Sequence, residues 1–221
     1  MGDTGVDQTP SWQRPRLTIR RLFGLDRSGP PPPQTLSGAP LNPWTIPNAI
    51  GFTRLALIPF FFVIAMSSSD GTGPWPAILF GLIGWMDYAD GIAARVTGQY
   101  SRLGTLIDPV ADRLLIISGV GVCWNFDLLP RWALAVLVIR EFATLALARY
   151  GMKRGAEVHV NWPGRLAVWP VMTAIFMAFV ELPNAAKISL YIGVGLSLWA
   201  FALYAREGFA HRRAQKASSS S

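Results

Sequence analysis

Six apolar stretches, at 47–66, 75–94, 106–124, 131–150, 164–180 and 188–205, come close to or reach the roughly 20 residues that a helix needs to cross a bilayer core. Backbone in lipid must satisfy its own polar groups, so such spans have to be helical. The expected fold is an all-α integral membrane protein with six transmembrane helices. The breaks carry turn chemistry: 67–74 is rich in Ser and Gly and ends in Pro74, 127–130 ends in Pro130, and Leu182-Pro183-Asn184 follows the fifth stretch. With 51% hydrophobic and only 15% charged residues, the chain is too apolar for an ordinary soluble domain and far too apolar for a disordered one.

The positive charges set the orientation. Arg14, Arg16, Arg20, Arg21 and Arg27 precede the first span, and Arg95 and Arg102 lie between the second and third. Arg149, Lys153, Arg154 and Arg165 lie between the fourth and fifth, and Arg206, Arg212, Arg213 and Lys216 follow the sixth. The other loops hold only Arg131 and Lys187. The positive-inside rule then puts both termini and the two basic loops in the cytoplasm. This distribution accounts for the net charge of +7 without nucleic acid as a partner.

The chain divides into a basic, Pro-rich cytoplasmic segment at 1–45, a six-helix domain at 46–206 and a basic tail at 207–221 expected to be disordered. The first segment lacks the apolar run of a signal peptide. It reads as a mobile spacer or, over 12–25, as a short basic helix lying on the anionic leaflet. Cys123 stands alone inside an apolar span, which excludes an intrachain disulfide and marks a packing thiol.

Asp87, Asp90, Asp108 and Asp112 fall in one window of the apolar chain. Residues three or four apart share a helix face, so Asp87 and Asp90 project together from the cytoplasmic end of the second span. Asp108 and Asp112 do the same at the start of the third, and the short connection makes the two helices antiparallel neighbours. Four carboxylates at one depth repel each other and call for divalent cations. All-oxygen donors point to Mg²⁺ or Mn²⁺, with two ions forming a clamp for displacement at phosphorus. Gly91 and Ala94 allow close approach to the acidic face, and Arg95 suits a carboxylate or phosphate. The competing explanation is helix capping, and Asp108 before Pro109 looks like an N-cap followed by proline at N1.

The pattern Asp87-x-x-Asp90-Gly91-x-x-Ala94-Arg95-x8-Gly104-x-x-x-Asp108-x-x-x-Asp112 resembles the full signature of the CDP-alcohol phosphatidyltransferases. The resemblance extends from about Asn42 to Arg206, and the six-span arrangement is similar to the family fold. It implies transfer of a phosphatidyl group from CDP-diacylglycerol to an alcohol, with release of CMP, at the cytoplasmic face of the cell membrane. By position, Asp87, Asp90 and Asp108 resemble metal ligands, and Asp112 is shared between ligation and the general base. Asn48, Gly91, Ala94, Arg95, Ser101 and Gly104 resemble the positions that bind CDP-diacylglycerol. The resemblance also implies a homodimer.

Residues 47–55, Pro-Asn-Ala-Ile-Gly-Phe-Thr-Arg-Leu, resemble the first span of the phosphatidylglycerophosphate synthase branch, as do Arg140-Glu141 and Gly164-Arg165. The acceptor is then glycerol 3-phosphate, with Arg140, Arg149 and Arg165 as candidates for its phosphate, because an intramembrane Arg is costly without a partner. Two departures stand out. Gly51 replaces a Thr often found in the first span, and Leu166-Ala167-Val168 replaces the x-Lys-Thr that usually follows Gly-Lys. The related cardiolipin synthases take phosphatidylglycerol, and an inositol phosphate is a third acceptor. From another class, a cation transporter would also carry intramembrane carboxylates, but near mid-span rather than at span ends beside Arg95 and Arg102.

Overall fold

The computed structural model describes the backbone of residues 41–152 and 162–218, with side chains over 41–144, 146, 166–203 and 206. Six helices follow in order: α1 Ile46–Ser67, α2 Pro74–Thr97, α3 Arg102–Asn125, α4 Arg131–Met152, α5 Trp162–Phe179 and α6 Pro183–Ser218. There are no strands among the described residues. All six apolar stretches fall on helices. The question of a spacer or surface helix at 12–25 lies outside the described residues, as does the loop 153–161.

Local chemistry sets the boundaries near the site. The Thr45 side chain caps α1 by accepting from the Asn48 amide at 3.3 Å. Gly98, at φ 66°, ends α2 in the left-handed conformation that glycine tolerates best. Ser101 caps α3, accepting from the Gly104 amide at 2.9 Å. The capping explanation for Asp108 is thereby corrected: the cap is Ser101, seven residues earlier, and Asp108 and Pro109 both lie inside α3. The last helix extends past the expected start of the tail. Helix α6 runs from Pro183 to Ser218, and the stretch after 207 has no proline to stop it.

Helix α1 packs against both α2 and α3, α5 against α6, and α4 chiefly against α6. Gly193 brings α5 and α6 together, since a Cβ there would lie 2.6 Å from Val171 Cγ2. The rings of Phe61, Phe80 and Phe179, from α1, α2 and α5, meet at centroid distances of 5.4–5.6 Å in tilted and edge-on contacts. Leu115, Cys123, Leu134 and Ile175 are fully buried in the same core.

Outside this core the bundle is apolar too. Val63, Trp85, Ile139, Phe142 and Trp169 are all exposed. A surface of that kind is stable against lipid and not against water. Three helical segments, Ile46–Ser67, Pro74–Thr97 and Pro183–Leu203, are each long and apolar enough to cross a membrane unaided. The others are interrupted or short: α3 contains Asp108, Asp112 and Arg113, α4 contains Arg140 and Glu141, and the apolar part of α5 is Leu166–Phe179.

Candidate active site

The inner stripe of α1 reads Asn48, Gly51, Arg54, Ile58, Phe61, Ala65, a helical spacing in which one charged residue occupies a core position. The Arg54 side chain is 1% exposed. Its Nη1 donates to Asp87 Oδ1 at 2.7 Å, and its Nη2 donates to Asp112 Oδ1. One guanidinium therefore joins the first and last carboxylates of the acidic window, one on α2 and one on α3. Sequence reasoning did not assign Arg54 a role. The available signal was its place on the buried stripe between Gly51 and Ile58, where a charge requires a partner.

The same stripe logic places the acids. On α2, Phe80 and Ile83 are buried, and Asp87 and Asp90 continue their face toward the C-terminus. On α3, Asp108 and Asp112 precede Leu115 on one face. Asp90 interacts electrostatically with Asp108 and Asp87, and Asp108 with Asp87 and Asp112. The four carboxylates are thus brought together across the α2–α3 interface. Asp87 and Asp112 are each 44% exposed, whereas Asp90 is 6% exposed and its Oδ2 is buried without a hydrogen-bond partner.

The residues fit a divalent cation by donor chemistry. They are all carboxylate oxygens, one of them an orphaned buried atom, and each carboxylate held by Arg54 has a second oxygen. No three of them are drawn tightly enough around a common point, among the described residues, to enclose an ion as they stand.

The residues expected to contact CDP-diacylglycerol divide into two sets. Gly91 lies under the Arg95 guanidinium, which would be 3.2 Å from a Cβ at that position, and Arg95 Nε is buried and unpartnered. Arg95 and Gly91 thus form a pair beside Asp90, with Ala94 half-buried on the same helix. The other set is turned inward. Ser101 Oγ donates to Asn48 Oδ1 at 2.7 Å, and Asn48 Nδ2 donates to the carbonyls of Asn42 and Pro43 at 2.9 and 3.1 Å. A Cβ at Gly104 would approach Asn48 Oδ1 to 2.9 Å. Asn48, Ser101 and Gly104 form a seam that joins the start of α1 to the start of α3. Gln99 extends it by accepting from the Ile46 amide at 3.0 Å. A pocket of ≈ 400 Å³ lined by Trp44, Gln99 and Tyr100, among others, opens beside this seam, and none of the four Asp lines it.

Of the acceptor candidates, only Arg140 has a described side chain; those of Arg149 and Arg165 lie outside the described residues. Arg140 Nη1 donates to Glu141 Oε2 at 3.0 Å and Nε to the Ser197 carbonyl at 3.2 Å, while Arg113 reaches Glu141 Oε1 at 3.2 Å. This charged chain links α3, α4 and α6, and it begins at the residue following Asp112.

Fold and site define a helical membrane protein whose carboxylates gather at one end of the bundle. The family model for CDP-alcohol phosphatidyltransferases matches residues 44–199, and the chain belongs to that family. It is 34% identical over 168 residues to a cardiolipin synthase (CMP-forming) of Streptomyces coelicolor, covering 72% of this chain and 77% of the relative. It is 32% identical over 144 residues to a CDP-diacylglycerol–glycerol-3-phosphate 3-phosphatidyltransferase of Bacillus subtilis, covering 60% and 75%. A relative with the same printed activity from Salmonella typhimurium is 30% identical over 173 residues, covering 73% and 93%.

Proposed function

We propose that this protein transfers the phosphatidyl group of CDP-diacylglycerol to glycerol 3-phosphate, giving phosphatidylglycerophosphate and CMP. The observation that carries the reading is the gathering of Asp87, Asp90, Asp108 and Asp112 on the facing stripes of α2 and α3, in a chain of this family. The protein crosses the cell membrane six times with both termini in the cytoplasm, and the acidic site opens on that side. The basic loops support this orientation, and the charges of α3 and α4 are then site residues tolerated within spans.

Asp87, Asp90, Asp108 and Asp112 would hold two Mg²⁺ or Mn²⁺ ions, which would neutralise the diphosphate and polarise the phosphorus under attack. Arg95, folded over Gly91 beside Ala94, binds the diphosphate next to Asp90. Asp112 is shared between ligation and taking the proton of the incoming hydroxyl; its Oδ1 is held by Arg54, which leaves Oδ2 for both roles. The acceptor oxygen–phosphorus bond forms, the phosphorus–oxygen bond to CMP breaks, and CMP leaves. Asn48, Ser101 and Gly104 serve this site by fixing the helix ends rather than through free polar atoms of their own. Arg140, Arg149 and Arg165 receive the acceptor phosphate, and two chains pair as a homodimer.

A second reading takes phosphatidylglycerol as acceptor, making cardiolipin. It is favoured by the Streptomyces coelicolor relative and by Leu166-Ala167-Val168, which lacks a cation and a hydroxyl at the start of α5. The test is CMP release in detergent with CDP-diacylglycerol and Mn²⁺, offering glycerol 3-phosphate, phosphatidylglycerol or inositol phosphate in turn. Turnover with glycerol 3-phosphate, abolished by EDTA, is expected. Turnover with phosphatidylglycerol alone selects the second reading, and no CMP with any acceptor overturns both.

A further inference from the structure

Arg54 is the one fully buried guanidinium among the described residues, and it lies outside the acidic signature. Burying such a group costs several kcal/mol unless its partners are well placed. Here the partners come from two other helices, Asp87 from α2 and Asp112 from α3, and each meets a different terminal nitrogen. The planar fork of an arginine fixes the distance between those nitrogens and therefore between the two acceptor oxygens. Only Oδ1 of each carboxylate takes part. Asp90 Oδ2, buried and unpartnered between these helices, has no such donor.

We propose that Arg54 is a positioning residue for the cation site: its guanidinium sets the spacing and orientation of Asp87 and Asp112 and leaves one oxygen of each for a divalent ion. This inference rests on the reading of the acidic quartet as a cation site. It differs from simple charge balance in a testable way. A group that only neutralises would compete with a metal ion, and its removal would tighten metal binding. A group that orients ligands would weaken metal binding when lost, by about 10–100-fold for a partner of this kind.

The experiment measures Mn²⁺ binding by electron paramagnetic resonance on detergent-purified wild type, Arg54→Met and Arg54→Lys, alongside CMP release. Both variants are expected to bind Mn²⁺ at least tenfold more weakly than wild type. Lysine restores the charge but not the fork, so it should rescue folding more than it rescues affinity. Unchanged or tighter Mn²⁺ binding in Arg54→Met overturns the proposal, as does full recovery of affinity in Arg54→Lys. Should the Met variant fail to fold, the Lys variant decides alone. A wild-type protein that binds no Mn²⁺ and releases no CMP defeats the catalytic reading itself. Wild-type function with wild-type affinity in the variants defeats only the role of Arg54.

Discussion

Helices α1, α2 and α3 each have two halves. Toward one end their inner stripes present Ile58, Phe61, Phe80, Ile83, Leu115 and Val122; toward the other they present Arg54, Asp87, Asp90, Asp108 and Asp112. The change takes about one helical turn, from Ile58 to Arg54, Ile83 to Asp87 and Leu115 to Asp112. The apolar half is held by many small dispersion contacts and by ring pairs worth about 0.5–1.5 kcal/mol each beyond burial. Volume-conserving changes there usually cost less than about 1.5 kcal/mol. The charged half depends on a few strong interactions, where losing one partner of a buried pair costs about 3–5 kcal/mol. Continuous helices let a rigid apolar half hold repelling carboxylates in register, so that the stability of one half maintains the chemistry of the other.

That division can be broken from either side. The largest effect is expected from Asp112→Asn, which keeps the shape of the side chain and removes the base. CMP release should fall about 10²–10⁴-fold, a larger loss than the accompanying drop in melting temperature in detergent, since Arg54 keeps Asp87 as its anionic partner. Turnover close to wild type would remove Asp112 from that role. Phe61→Ala should do the reverse, costing about 3–5 kcal/mol of stability through the cavity it leaves, while kcat of the folded fraction stays within about twofold. A loss of kcat in the folded protein would show that the two halves are not separable. The smallest effect is expected at the seam. Gly104→Ala puts a Cβ 2.9 Å from Asn48 Oδ1, and overpacking of that kind costs about 1–3 kcal/mol. A thermal scan with and without CMP would read it as lower stability in both states, and no shift in either would mean that Asn48 yields easily.

Much of this division is legible before any coordinates. Six apolar stretches mark six helices. Four Asp at helical spacing announce a shared face because carboxylates in apolar sequence are conspicuous. Arg54 is harder to read. It looks like any arginine near the start of a span, and its partners lie 33 and 58 residues away. The partners of Asn48 and Ser101 are hidden for the same reason. Nothing in the local sequence tells that they hydrogen-bond to each other across 53 residues. The start of α3 escapes because two capping signals compete, and Ser101 prevails over the Asp108-Pro109 pair by capturing the Gly104 amide. At the C-terminus, the absence of proline and the high helix propensity allow α6 to continue.

The seam of Asn48, Ser101, Gly104 and Gln99 has a mechanical consequence. It fastens the first turn of α1 to the turn between α2 and α3, so neither can swing outward alone. Polar bonds thus hold this corner of the bundle, where the other end is held by apolar packing.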